Sequence, residues 1–135
     1  MKRLLKTILI VLTAIAGAYS CASTSGIRNA PFDQGTEHEF SGSYADVLSA
    51  TRDAIIGAGL AIDSFEEVDT TTAVIVSKKG ASTWSWGELV RVVVKGVSEE
   101  KTTVRVLTKR RLATNVTAKG DYAETIFSNI DLSLR

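Results

Sequence analysis

The sequence of 135 residues contains one cysteine, one histidine and one proline. One cysteine cannot form an internal disulfide, and Cys21 with His38 cannot supply a typical zinc site of cysteine and histidine ligands. Without a second histidine or a G-x-S-x-G motif, no activated serine nucleophile can be named. A glycine-rich phosphate-binding loop is also absent from the sequence. We therefore expect no enzymatic activity and no metal or other cofactor.

The sequence also lacks a large excess of either charge, because 16 basic and 15 acidic residues give a formal net charge of +1. Cleavage of an N-terminal segment carrying Lys2, Arg3 and Lys6 would leave 13 basic residues against 15 acidic ones, a formal charge of −2. Nucleic-acid binding requires a strongly basic surface. The charge balance therefore predicts that nucleic acid is not a partner.

The segment Met1–Cys21 has the pattern of an export signal. Lys2, Arg3 and Lys6 make its start basic, and Thr7–Ala18 is an apolar run of twelve residues. This run is shorter than the ~20 apolar residues that a membrane-spanning helix needs. The segment is therefore predicted to direct export of the chain.

The junction at Ser20 and Cys21 resembles the lipobox of bacterial lipoproteins, in which the cysteine receives a diacylglycerol and begins the mature chain. The resemblance implies that fatty acyl chains such as palmitate anchor Cys21 in the cell envelope, and Ala22 resembles an outer-membrane address. Ala18 and Tyr19 depart from the lipobox pattern. Ala18 and Ser20 also satisfy the small-x-small rule of ordinary signal cleavage, which would leave a soluble periplasmic or secreted chain.

Composition divides the chain into three regions. Residues 1–20 are assigned to the lipoprotein-type signal peptide. Residues 21–39 are rich in Ser, Thr, Gly, Asn and Gln and contain Pro31, which predicts an acylated cysteine followed by a flexible tether. Residues 40–135 show helical and strand periodicity and are predicted to form a single α+β domain.

Apolar spacing predicts a helix, four strands and a second helix in this domain. Ser43 is predicted to cap the first helix, and Gly59 to end it in a left-handed conformation. Alternation of apolar and polar residues predicts the strands. The predicted strands are 60–67, 72–78, 88–97 and 102–109, and the predicted second helix is 122–134.

The last two strands predict how the sheet is covered, because their residues alternate between apolar and basic. The residues of the apolar face are Val90, Val92, Val94, Val104 and Val106. The basic residues of the opposite, solvent-facing side are Arg91, Lys95, Arg105 and Lys109. The predicted fold class is therefore α+β, a four-stranded antiparallel meander with one face covered by two helices.

The order of these elements, with SYADVLSATRDAIIGAGLAI at the first helix, is similar to small bacterial envelope lipoproteins. Their domain resembles the repeated helix-and-sheet domain of the C-subunit lipoprotein of the β-barrel assembly machine, over roughly residues 40–134 of this chain. The resemblance implies a fold and supplies no catalytic residue. This chain has one such domain where that subunit has two, so membership in the machine is not implied.

Two groups of residues are candidate partner-binding sites. Trp84 and Trp86 are separated by one residue between two predicted strands, and aromatic residues are enriched at interfaces. Packing of one or both indoles against the core is the alternative. Lys109, Arg110 and Arg111 form a basic run at a strand end, suited to anionic lipid or lipopolysaccharide phosphates, with simple solvation as the alternative.

Two functions of different class are consistent with these features. The first is a non-enzymatic envelope lipoprotein that acts as a protein-interaction or structural accessory module at the outer membrane. The second is a periplasmic module that binds a lipid or small molecule in a pocket between helices and sheet. An exposed apolar patch at Trp84 and Trp86 favours the first, whereas an enclosed apolar cavity favours the second.

Overall fold

A computed structural model describes residues 22–80, 87–110 and 121–135. The described helices are α1 (Thr24–Arg28), α2 (Tyr44–Gly57) and α3 (Ala123–Ser133). The described strands are β1 (Thr36–Ser41), β2 (Ala61–Asp69), β3 (Thr72–Lys79), β4 (Glu88–Ser98) and β5 (Lys101–Arg110). They form one sheet in the order β1-β5-β4-β3-β2, in which all neighbouring strands are antiparallel.

The prediction of a four-stranded meander is wrong, because β1 adds a fifth strand to the sheet. Strands β2 to β5 follow one another as a meander, and β1 pairs with β5 from Thr36 opposite Val106 to Ser41 opposite Lys101. The sequence of β1, TEHEFS, contains one buried residue, Phe40. Backbone pairing with the open edge of β5, rather than an apolar pattern, therefore defines this strand.

Helices α2 and α3 cover the first face of the sheet. Ser43 caps α2 by accepting a 3.2 Å hydrogen bond from the Asp46 amide. Gly59, with a φ of +79°, follows the helix and donates to the Ile56 carbonyl, which ends α2 as the sequence predicts. The first-face core contains Val90, Val92, Val94, Val104 and Val106 of the strands together with Val47, Ile55, Ile126 and Ile130 of the helices.

The second face differs from the solvent-facing surface that the alternation predicted. Helix α1 packs against β3 and β4, and Ile27 is buried there at 1% exposure. The residues that it covers, which we call the second-face cluster, are Val74, Val76, Leu89 and Val93. Residues 24–28 and 36–41 are thus part of the fold, in contrast to the flexible tether predicted for residues 21–39.

Val92→Asp is expected to abolish cooperative folding, because Val92 is fully buried and the change brings an unpaired charge into the first-face core. Val97→Asp is the matched control, since the same change on the same strand falls on a residue that is 58% exposed. Thermal unfolding followed by circular dichroism should show no transition for the first variant and a near-parental Tm for the second. Equal transitions for both variants would show that the faces are assigned wrongly.

Candidate functional site

The side chain of Arg91 lies at the centre of the second face, on the middle strand β4, where it is 0% exposed. Its guanidinium donates hydrogen bonds to three backbone carbonyls that precede β1. Nη1 donates to Ala30, and Nη2 donates to Pro31 (2.9 Å) and Gln34 (3.4 Å). Burial, and secondarily the positive charge of Arg105, lowers the pKa of Arg91, although an arginine in a protein stays protonated. The buried cation is therefore stabilised by backbone dipoles.

Residues 22–35, which we call the N-terminal strap, are also held by Arg105 of β5. Nη1 of Arg105 donates hydrogen bonds to the carbonyls of Asp33 (2.9 Å) and Gly35 (3.4 Å). Gly35 has a φ of +108°, and a Cβ at this position would clash with the carbonyl oxygen of Val106. Glycine is therefore required where the strap passes over β5 into β1.

The N-terminal strap begins at the residue that follows the predicted site of acylation. Ala22 is half-buried and packs against the second-face cluster, and Ser23 caps α1 by accepting a 3.0 Å hydrogen bond from the Gly26 amide. Nη2 of Arg28 donates a 2.8 Å hydrogen bond to Ser64 Oγ on β2. The described chain is thus packed on the sheet from Ala22 onward.

Basic side chains gather at the end of the sheet where β3 and β5 end and β4 begins. These residues, which we call the basic end, are Lys78, Lys79, Lys109 and Arg110. Their register partners on β4 are Leu89 on the second face and Glu88 on the first. Lys78 forms a 2.6 Å ion pair with Asp63, while the other three side chains form no ion pair with any described residue. Lys109 and Arg110, two of the predicted partner-binding residues, therefore belong to a larger basic surface.

Two buried polar groups lie next to the basic end. Glu88 is 2% exposed and Tyr122 is 6% exposed, and neither Oε2 of Glu88 nor the hydroxyl of Tyr122 has a hydrogen-bond partner among the described residues. Burial, followed by interaction with the Glu88 carboxylate, raises the pKa of Tyr122. The two groups are therefore close enough to interact electrostatically, but their geometry falls short of a hydrogen bond. Unpaired groups of this kind reduce the stability of a core.

A surface groove of about 370 Å3 lies on the second face beside the N-terminal strap. Its lining combines apolar side chains with charges of both signs and includes Phe32, Asp33, Glu37, Val68, Lys95 and Arg105. The space between the sheet and α2 and α3, where the sequence predicted a pocket under the second function, is occupied by the buried first-face core. The groove therefore differs in place and character from that predicted pocket.

Four predicted site residues lie outside the described part of the chain: Cys21, Trp84, Trp86 and Arg111. His38 is exposed on β1, where its ring centroid is 4.7 Å from that of Phe40. Within residues 22–80, 87–110 and 121–135, no three His, Cys, Asp or Glu side chains are grouped to hold a metal ion. In the same ranges we find no helix with the length and apolar character needed to cross a membrane.

Arg91→Met is expected to lower the free energy of unfolding by roughly 3 kcal/mol, because three strap carbonyls lose their buried cationic donor. Methionine keeps most of the aliphatic stem, so the loss reports mainly the hydrogen bonds. Lys101→Met is the control, because the exposed ion pair of Lys101 with Glu39 contributes at most about 1 kcal/mol. Urea unfolding measures both variants.

Hydrogen exchange provides a second readout for the Arg91 variant. The amides of the N-terminal strap should exchange faster in Arg91→Met, while those of β5 stay protected, because the strap loses its main attachment to the sheet. A variant with parental stability and a protected strap would show that the Arg91 contacts do not hold this segment.

Tyr122→Phe is expected to keep or raise stability at neutral pH, by up to about 1 kcal/mol, because it removes a buried hydroxyl that has no partner among the described residues and retains the ring. Because the pKa of Tyr122 is raised in the folded state, its titration leaves stability unchanged below the unfolded pKa of about 10 and lowers stability as the pH rises further. The Phe variant should therefore resist alkaline unfolding better than the parent.

Chemical denaturation between neutral pH and pH ~11 measures this difference across the unfolded pKa of tyrosine. Tyr122→Leu is the control and should be destabilised at every pH, because it removes the buried aromatic ring itself. A Phe variant clearly weaker than the parent at neutral pH would show that the hydroxyl makes a stabilising hydrogen bond to Glu88.

No protein-family model matches this chain, and no curated protein is significantly similar to it. A functional assignment therefore rests on the residues of the chain itself, namely the export-type segment, the N-terminal strap and the basic end.

Proposed function

We propose that the protein is a non-enzymatic bacterial envelope lipoprotein, anchored through an acylated Cys21 at the periplasmic face of the outer membrane. Its domain serves there as a protein-interaction or structural accessory module. The observation that carries the proposal is the direct succession of an export-type segment, the Ser20–Cys21 junction and a fold that is packed from Ala22 onward. Several acyl chains on the residue before the fold would hold the domain stably at a membrane surface.

The surroundings of the buried polar residues support a non-enzymatic role. Arg91 is engaged by backbone carbonyls of the strap, and Glu88 has Tyr122 as its neighbour. His38, the single histidine, packs its ring against Phe40 at an exposed strand. A general acid or base must reach a substrate together with a second catalytic group, whereas Arg91, Glu88 and Tyr122 are buried and His38 is exposed on β1.

The partner that we propose is another envelope protein, contacted through Trp84 and Trp86. Both tryptophans lie outside the described residues, in the connection between β3 and β4. This connection leaves and re-enters the described structure at Gly80 and Gly87, next to the basic end. Two indoles at an interface would supply the kind of aromatic anchor that dominates binding energies.

Cys21→Ala tests the lipid anchor. Mass spectrometry of protein purified from the native membranes should find a diacylglycerol-bearing N-terminus at Cys21 in the parent, and this mass should be absent from the variant. Density-gradient fractionation should place the parent with outer-membrane markers and show loss of normal maturation and of that location for Cys21→Ala. Ser25→Ala, an exposed position four residues later, is the control and should behave as the parent.

Normal maturation and unchanged outer-membrane partition of Cys21→Ala would refute acylation. A parent protein that is cleaved after Ser20 and recovered in the periplasmic or culture fluid would instead establish ordinary signal cleavage. Recovery of the acylated parent with inner-membrane markers would refute the outer-membrane location while leaving the lipoprotein assignment intact.

A further inference from the structure

The charges of the domain are separated along the direction of the strands. At the basic end, Lys78 and Lys109 stand on the second face, while Lys79 and Arg110 stand on the first, so both faces of this end are basic. Lys78 and Lys109 share Leu89 as register partner, and Lys79 and Arg110 share Glu88, so we call each set a row. Within a row, the β3 and β5 residues are two strand spacings apart, which separates their backbones by roughly 10 Å. Three carboxylates offset part of this charge: Asp63 pairs with Lys78, Glu88 is buried in register with Lys79 and Arg110, and Asp121 accepts a hydrogen bond from Thr108 beside Lys109. The positive charge that remains belongs to the end of the sheet rather than to one face.

The opposite end of the sheet carries the two hairpin turns and is mainly acidic. The β2–β3 turn follows Glu66, Glu67 and Asp69, and the β4–β5 turn consists of Glu99 and Glu100. The basic residues of this end are Lys95 and Lys101, and Lys101 is ion-paired with Glu39 at 3.3 Å. An anionic surface therefore attracts one end of the domain and repels the other.

The N-terminal strap begins on the second face of the sheet. Ala22 and Ile27 pack on the second-face cluster, which runs along β4 from Leu89, the register partner of Lys78 and Lys109, to Val93. The strap then contacts Arg91 and, further from the basic end, Arg105. From there β1 runs towards Lys101 at the acidic end. The strap therefore starts on a face of the sheet that reaches the basic end.

We infer that the basic end is a membrane-contacting surface that lies against anionic lipid headgroups of the leaflet holding the acyl chains. The inference rests on the proposed acylation of Cys21, and it adds an orientation to that function. Because the strap is bonded to the sheet, the anchor does not leave the domain free to tumble on a linker. The hairpin turns of β2–β3 and β4–β5 consequently point away from the membrane.

The size of the expected effect follows from the number of free charges. Each lysine or arginine near an anionic bilayer strengthens association about five-fold, so removal of Lys109 and Arg110 should weaken it about 25-fold. The contact should also weaken with salt, because charges are screened over a Debye length of about 8 Å at physiological ionic strength. A bilayer of uncharged lipid should not orient the domain by electrostatic attraction of the basic end.

Site-specific fluorescence quenching in vesicles measures the orientation. Acylation converts the sulfur of Cys21 to a thioether, so one introduced cysteine becomes the single free thiol of the chain. Gly80→Cys places a label at the basic end, where a Cβ has open space, and Ser98→Cys places one at the acidic end. The acylated protein is reconstituted in phosphatidylcholine vesicles with or without phosphatidylglycerol and a nitroxide quencher on the lipid headgroup.

The label at position 80 should be quenched more strongly than the label at position 98 in phosphatidylglycerol vesicles, and the difference should fall in pure phosphatidylcholine. The pair of changes Lys109→Gln and Arg110→Gln should remove the difference, whereas Lys95→Gln with Lys101→Gln should leave it. Equal quenching at the two positions, stronger quenching at position 98, or no response to the Lys109 and Arg110 changes would overturn the inference.

Failure of acylation is detected separately, because Cys21 would then react with the thiol reagent in the parent protein. In that case the cleaved, non-acylated protein is sedimented with phosphatidylcholine vesicles that contain or lack phosphatidylglycerol. A preference of about ten-fold or more for phosphatidylglycerol vesicles, reduced by the Lys109 and Arg110 changes, supports the basic end as a membrane surface. Absence of such a preference overturns it independently of the anchor.

Discussion

The buried guanidinium of Arg91 is the interaction on which the arrangement of this domain depends. A cation in a core without a carboxylate partner is stable only when several hydrogen bonds offset its desolvation. The carbonyls of Ala30, Pro31 and Gln34 provide those bonds. These carbonyls belong to the irregular chain between α1 and β1, outside helix and sheet, where the guanidinium supplies donors to them. The Pro31 carbonyl also accepts from the Gln34 amide, and Nε of Arg91 has no hydrogen-bond partner among the described residues. Sheet and strap therefore stabilise each other.

The attachment of the strap determines which strand forms one edge of the sheet and how the second face is covered. Gly35 brings the chain close over Val106, and β1 then pairs with β5 and covers what would otherwise be an open edge. Ile27 shields the second-face cluster, so both faces of β3 and β4 are covered. The strand left at the other edge, β2, is largely exposed and carries Asp63, Glu66 and Glu67, charges that oppose edge-to-edge association.

The same attachment gives the proposed lipoprotein a defined geometry at the membrane. A flexible linker would average over many orientations and would make the position of surface charges irrelevant. A chain packed from Ala22 onward would instead hold a lipid anchor on Cys21 close to the sheet. The proposed partner-binding segment with Trp84 and Trp86 connects to the domain at the basic end. In the proposed arrangement, lipid and protein contacts would therefore lie near each other.

Features with local causes could be predicted from the sequence. Ser43 and Gly59 bound α2 because capping and left-handed glycine depend on a few adjacent residues, and the four strands of the meander follow from period-two alternation. The five valines of the first-face core were placed by the same alternation. Lys109 and Arg110 were visible as a basic run, but their grouping with Lys78 and Lys79 required the register of β3 and β5 with β4.

By itself, the sequence determined the capped helix α2 and the apolar face of β4 and β5, because each is encoded in neighbouring residues. The export-type segment with its lone Cys21 is a prediction from the same kind of local pattern. Only the tertiary structure decided that Arg91 is buried, since its acceptors lie about sixty residues away and a basic residue on an alternating strand is otherwise expected in solvent. The position of Arg91 between Leu89 and Val93 on the same face was the one local sign of burial. Strand β1 could not be predicted from the sequence for a related reason. Its segment is polar and forms a strand because its backbone hydrogen-bonds to β5, which lies about sixty residues further along the chain. No residue pattern within the segment itself indicates that pairing.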